Sequence, residues 1–292
     1  MTQLIMEKGL GKITLPMLQQ SVNEVSLGQK PMNGIRHAEL FTKIDELMTK
    51  HNLQHSLGDI YVRDNGPSAL PGINLIPAFE KDHGEKAIEA YIIRRLIGKY
   101  QIEDGSDKLS NTGIAISYHQ AGIQIGYGPN VRICDNFSIF ADKLISSTQV
   151  RNIEKMFEVL ENFLQNHAHN REIDQALIKR MFEIGVSYDD AINLIGDLEV
   201  QAVNKAYRKG VISPLNISQV TDFTRKYMDT YDSDKRSVEN LFQVYNVGTS
   251  LYHPEEVSDI TTILPMNQAL GKFLMTKYDF SDILKKYKLE LN

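Results

Sequence analysis

The sequence predicts an α+β fold: an N-terminal helix and an antiparallel β-meander, followed by a mostly α-helical C-terminal region. Three observations predict it. Apolar residues repeat at three- and four-residue spacing over 36–53, with Lys, Asp and Glu between them, as on a helix laid on a sheet. Segments rich in β-branched residues, separated by turns containing Gly, Pro or Asn, fill much of 58–134. Beyond about residue 150, long apolar-periodic stretches dominate. The texture changes near 146–150, which divides the chain into an α+β region, 1–149, and a helical region, 150–292, that packs on it or extends it.

The first helix is carried by Leu40, Ile44, Leu47 and Met48. Strands are expected at 58–63, 90–101, 113–119, 122–127 and 131–134, and the short turns between the last three make them antiparallel neighbours. Two loops interrupt them. The stretch 64–74 holds two Pro and two Gly, and 103–108 is wholly polar, so both read as loops able to act as flaps. In the helical region, Ile153, Met156, Phe157, Leu160, Phe163 and Leu164 share one face. Ser187-Tyr-Asp-Asp190 has the spacing of a helix cap, with acids in the first turn of a helix running to Tyr207. Further helices are expected after Ser218 and over 237–251, 265–277 and 281–288.

The 292 residues carry a net charge of −5, so no chain-wide basic field draws in nucleic acid; an anionic partner has to meet a local cluster. A single cysteine excludes an intramolecular disulfide and a Cys-rich zinc cage. Cys134 reads as a small buried core residue rather than a nucleophile. No apolar run approaches the roughly 18 residues of a membrane span, and the first residues lack the pattern of a secretory signal. The chain is therefore expected to be soluble and cytoplasmic, with no membrane partner.

Several reaction-defining motifs are missing. Gly11-Lys12 has the end of a phosphate-binding loop, but Met6 stands where its first Gly belongs. There is no H-E-x-x-H or G-x-S-x-G motif, and Gly126-Tyr-Gly128 lacks the third Gly of a dinucleotide fingerprint. His167-Ala-His169 reads as structural capping at a helix C-terminus rather than as a metal pair. No catalytic residue, metal ligand or cofactor is assigned.

The informative constellation is cationic and aromatic. Tyr91-Ile-Ile-Arg94-Arg95-Leu-Ile-Gly-Lys99-Tyr100 has strand texture, and Lys86 precedes it. Strand alternation puts Tyr91, Ile93, Arg95, Ile97 and Lys99 on one face, and Ile92, Arg94, Leu96 and Tyr100 on the other. One face thus offers a tyrosine and two cations able to follow a nucleic-acid backbone and stack a base. Tyr118, Tyr127 and Arg132 on neighbouring strands are expected to extend the platform. The competing reading is an ordinary solvated sheet face.

Two segments also resemble a known family. Asn111-Thr-Gly-Ile-Ala-Ile-Ser-Tyr-His119-Gln-Ala-Gly122, with Val131-Arg-Ile-Cys134-Asp-Asn136-Phe and the helix that follows, resembles the core of the phage/plasmid-like protein family of unknown function. Val238-Glu-Asn-Leu-Phe-Gln-Val-Tyr245-Asn246-Val-Gly-Thr249 is similar to that family's late helix. The chain departs from the pattern at Gln120-Ala121, where an Asp-Gly pair is expected, so no role for that aspartate carries over. The resemblance implies a protein of phages, prophages or mobile elements, in the setting of their DNA metabolism, within a bacterial host. It supplies no catalytic residues. A looser likeness to phage single-strand annealing proteins is one of fold only.

The expectation that follows is a protein that binds single-stranded DNA without catalysis, and anneals it as a homo-oligomer, through Lys86, Tyr91, Arg94, Arg95, Lys99 and Arg132. A first alternative is a metal-dependent nuclease using Asp59, Asp64, Glu80 or Asp82. A second is a non-enzymatic protein that counters or regulates a host protein.

Overall fold

The computed structural model describes residues 10–19, 31, 33–63, 95–103, 110–119, 122–131, 143–146, 152–208, 213–231, 240–253, 257 and 260–289. The expected loop at 64–74 lies outside the described residues, as do Cys134 and all but the first residue of the loop expected at 103–108 and of the strand expected at 131–134.

Six strands form one sheet in chain order: β1 (Leu10–Ile13), β2 (His55–Arg63), β3 (Arg95–Ile102), β4 (Ser110–His119), β5 (Gly122–Val131) and β6 (Lys143–Ser146). Every neighbouring pair is antiparallel, so the sheet is the expected meander. The expected strand ending at Tyr127 continues to Val131, because β4 pairs with it along its whole length, from Ser110↔Val131 to His119↔Gly122. β1 and β6, which the sequence did not announce, close the two edges. The register slips between Leu57 and Ile60, a bulge in β2 at Gly58 and Asp59.

One sheet face is apolar. Leu96, Tyr100, Ile114, Ile116, Tyr118, Ile123, Ile125 and Tyr127 pack there against α2 (His37–Lys50) and α3 (Ile153–Gln165), preceded in the chain by the short α1 (Leu15–Gln19). α2 contributes Leu40, Phe41, Ile44 and Met48, and α3 contributes Met156, Phe157, Leu160 and Leu164, all of them buried. Lys50 pairs with Glu161, tying the end of α2 to α3, and this hydrogen bond holds the Glu161 carboxyl below its usual range.

The other face meets the helical region: α4 (His167–Glu183), α5 (Tyr188–Tyr207), α6 (Ile217–Tyr231), α7 (Leu241–Thr249), α8 (Ile263–Lys277) and α9 (Ser281–Tyr287). Tyr61, Ile97 and Ala115 enter the core of these helices, and the Tyr61 ring meets His253 edge-on at 5.8 Å. The expected cap of α5 is present: the Ser187 hydroxyl accepts from the Asp190 amide at 3.2 Å, and Asp190 Oδ2 accepts from the Ser187 amide at 3.1 Å. Asn240 and Gln243 cap α7 in the same way. Pro265 stands in the first turn of α8, where its missing N–H leaves no intrahelical bond unmade. The α+β class is therefore as the sequence predicts.

Two buried positions around α2 are sharply constrained. A Cβ at Gly98 would lie 2.7 Å from Cε1 of Phe41, whose ring also leans on Tyr100 at 6.1 Å. Gly98→Ala is expected to destabilise the protein by about 1–3 kcal/mol through overpacking, measured by urea denaturation. His37 is fully buried beside Tyr118, and burial lowers its pKa from 6.5 to about 4. Between these values the unfolded chain takes up the proton and the folded one does not. Stability is therefore lost as pH falls from 6.5 towards 4, by about 3 kcal/mol in full. In a pH series of urea midpoints, His37→Leu is expected to lack this part of the acid limb.

Candidate nucleic-acid interface

The two described members of the expected cationic strand behave differently. As alternation predicts, Arg95, Ile97 and Lys99 share one face of β3, and Leu96 and Tyr100 share the other. That first face is not an open platform. Lys99 is only 6% exposed, on the side where Ile97 and Ala115, the register partner of Lys99, join the helical core. A side chain this buried is not placed to reach a passing phosphate. Arg95, at the end of the strand, is half-buried.

The expected aromatic extension is also corrected. Tyr118 is the register partner of Leu96 and Tyr127 that of Ile114, so both tyrosines lie on the face opposite Arg95 and Lys99, and both are fully buried. Their hydroxyls are structural ties. Tyr118 donates to the Ile35 carbonyl at 3.1 Å, Tyr100 donates to the Phe41 carbonyl at 3.0 Å, and Tyr127 Oη lies 2.7 Å from His167 Nδ1. Burial and the nearby Asp45 raise the Tyr100 phenol, so it stays protonated and can only donate in this bond.

The histidine pair is corrected too. His167 and His169 open α4 instead of closing the helix before it, since α3 ends at Gln165 and Asn166 is the junction. His167 bonds to Tyr127, and the His169 ring stands 6.1 Å from Tyr287. Lys86, Tyr91, Arg94 and Arg132 lie outside the described residues.

What the register does bring together is a cationic end of the sheet. Arg63, the last residue of β2, is the direct cross-strand partner of Arg95, the first residue of β3. His119 ends β4 on the far side of β3, one residue past the Leu96↔Tyr118 pair. Two strand positions away, on β1, Lys12 lies over the Tyr61 ring at 5.0 Å and pairs with Asp59 at 3.6 Å. The contribution of β1 was missed from sequence, where Gly-Leu-Gly-Lys was weighed as a phosphate loop. The register thus sets two arginine positions side by side on adjacent strands at this end of the sheet.

In the groove between α4 and α9, Arg180 lies 3.7 Å from Glu183 and 4.0 Å from Asp279, and Lys286 lies 3.5 Å from Glu172. Among the described residues, no cluster of three or more His, Cys, Asp or Glu is arranged to hold a metal ion. Of the acids weighed for a nuclease, Asp59 is an exposed partner of Lys12, and Asp64, Glu80 and Asp82 lie outside the described residues. No described helix is long and apolar enough to cross a membrane. No family model, no curated protein and no solved structure matches this chain.

The burial of Lys99 has a direct test. Lys99→Glu places an unmatched carboxylate beneath the helical layer and is expected to lower unfolding stability by about 3–5 kcal/mol, measured by urea denaturation. An exposed lysine on an open sheet face would tolerate the same change with little loss.

Proposed function

We propose that this protein binds single-stranded DNA, without catalysis, at the end of the sheet where Arg63 and Arg95 face each other. The observation that carries the reading is that cross-strand pair, with His119 and Lys12 close by in the register. The chain between Arg63 and Arg95 includes Lys86, Tyr91 and Arg94, three more residues of the expected site, whereas Arg132 follows Val131, the register partner of Ser110 at the other end of β4, and is left out of this site. Lys99 serves the fold and is left out of the site. The resemblance to the phage/plasmid-like family supports a setting in the DNA metabolism of mobile elements. A negative net charge fits a protein that holds DNA at one local cluster rather than over its whole surface.

The test is fluorescence anisotropy with a labelled single-stranded oligonucleotide over a salt series, with duplex of equal length as competitor. The wild type is expected to prefer the single strand. The Arg63→Glu/Arg95→Glu double variant is expected to bind more weakly, with its log–log salt slope reduced by about 1.4, from two lost phosphate contacts on a single strand. Unchanged affinity and slope in a folded double variant would remove this site.

A further inference from the structure

α5 is apolar on two sides. Ala191, Leu194, Leu198 and Ala202 are buried in the helical core. Tyr188, Ile192, Val200, Val203 and Tyr207 are exposed, Val200 at 60% and Tyr207 at 84%. At about 100° per residue these five fall in a sector of roughly 120°, turned about 140° from the buried face. The 20-residue helix carries this row along about 30 Å. Gly196 falls within the row, and a Cβ built on it meets nothing within 4 Å, so no intramolecular packing calls for a glycine in the middle of the helix. Asp189 and Glu199 fall in the same sector, and an apolar row of this length marks an interaction surface, unlike single exposed apolar residues.

The spacing of the row indicates what covers it. Tyr188 and Tyr207 are equidistant from the point between Asp197 and Leu198; so are Ile192 and Val203, and so are Ile195 and Val200. A helix with this near-palindromic row is complementary to itself when a second copy runs antiparallel to it about a twofold axis through that point. Tyr188 then meets Tyr207 of the second copy, and Ile192 meets Val203. The helix dipoles oppose. Gly196 stands level with Glu199, next to the axis, where the missing side chain gives that carboxylate room. The row and its edge carry Asp189, Glu199 and no base, which disfavours an anionic lipid surface or nucleic acid as the occupant.

We propose that this face of α5 is the interface of an antiparallel homodimer. It is independent of the DNA-binding site. A pair of such helices buries an area at the low end for specific interfaces, about 1,200 Å², so the association is reversible and concentration-dependent. The experiment is sedimentation equilibrium of the full chain over a micromolar concentration series. The wild type is expected to dimerise, and Val200→Glu to raise the dissociation constant about tenfold or more with an unchanged circular dichroism spectrum, and with the wild-type Tm at concentrations where both are monomeric. Glu199→Gln, which removes like charges near the axis, is expected to tighten it. Orientation is read by disulfide trapping in a Cys134→Ser background. Chains carrying Ile192→Cys mixed with chains carrying Val203→Cys should cross-link to each other more than to themselves. A wild type that stays monomeric, a dimer indifferent to Val200→Glu, or preferential Ile192→Cys self-cross-linking would each overturn the proposal, and a second protein captured on this face in place of a second copy would do the same.

Discussion

The constraint on which this structure depends is that its described sheet is covered on both faces. An antiparallel sheet often leaves one face to water, and its strands then alternate apolar and polar residues. Here the alternation is present, yet the polar side is covered as well. The first face holds the large apolar side chains and three tyrosines, with α2 and α3 packed on them. The second holds Lys99, Asn111 and Ser117, all buried, among Gly113, Ala115, Gly126 and Gly128, which are buried too. Small residues on adjacent strands let the turn at Ile260–Thr262 and the helices behind it approach the backbone closely.

This closure decides where chemistry can happen. Hydroxyls that would otherwise be available to a ligand are used to hold layers together: Tyr100, Tyr118 and Tyr127 each reach from the sheet to the elements packed on it. A buried phenol without such a bond would cost free energy, so these tyrosines are fixed in place as well as buried. With both faces occupied, the sheet's ends and edges are where its positive charge can reach solvent, as it does at Lys12. The junction of β2 and β3 is such an end, and Lys12 on the edge strand β1 lies close to it. The helical region contributes a different kind of surface, the outward row on α5, well separated in sequence from that cluster.

Much of this was legible in the sequence because local rules govern it. The apolar spacing of Leu40, Ile44 and Met48 located α2, Ser187 and Asp190 located the start of α5, and the Gly- and Asn-containing turns gave the order of β4 and β5. Strand alternation correctly divided Arg95 and Lys99 from Leu96 and Tyr100. What alternation does not contain is the identity of the layer above a face, and that is why Lys99 read as a solvent cation. The small residues sharing its face on β4 and β5 were the available signal for a close-packed neighbour. β1 is four residues long, with a glycine in it, and carries too little pattern to announce a strand. The start of α4 was hidden because Asn166 joins two helices without a Gly or Pro to punctuate them. Of the candidate site, Arg95 kept a place, and the pairing that gives it meaning, with Arg63, depends on a register that crosses the long intervening segment.

The claim that the sheet is closed on its cationic face is tested most directly by amine labelling of the native protein under limiting reagent, read lysine by lysine by mass spectrometry. The account predicts that Lys99 stays unmodified while Lys12, Lys43 and Lys50 react, and that Lys99 becomes reactive only with global unfolding in urea. Labelling of Lys99 at the rate of the exposed lysines, without unfolding, would contradict it and would restore an open platform on β3.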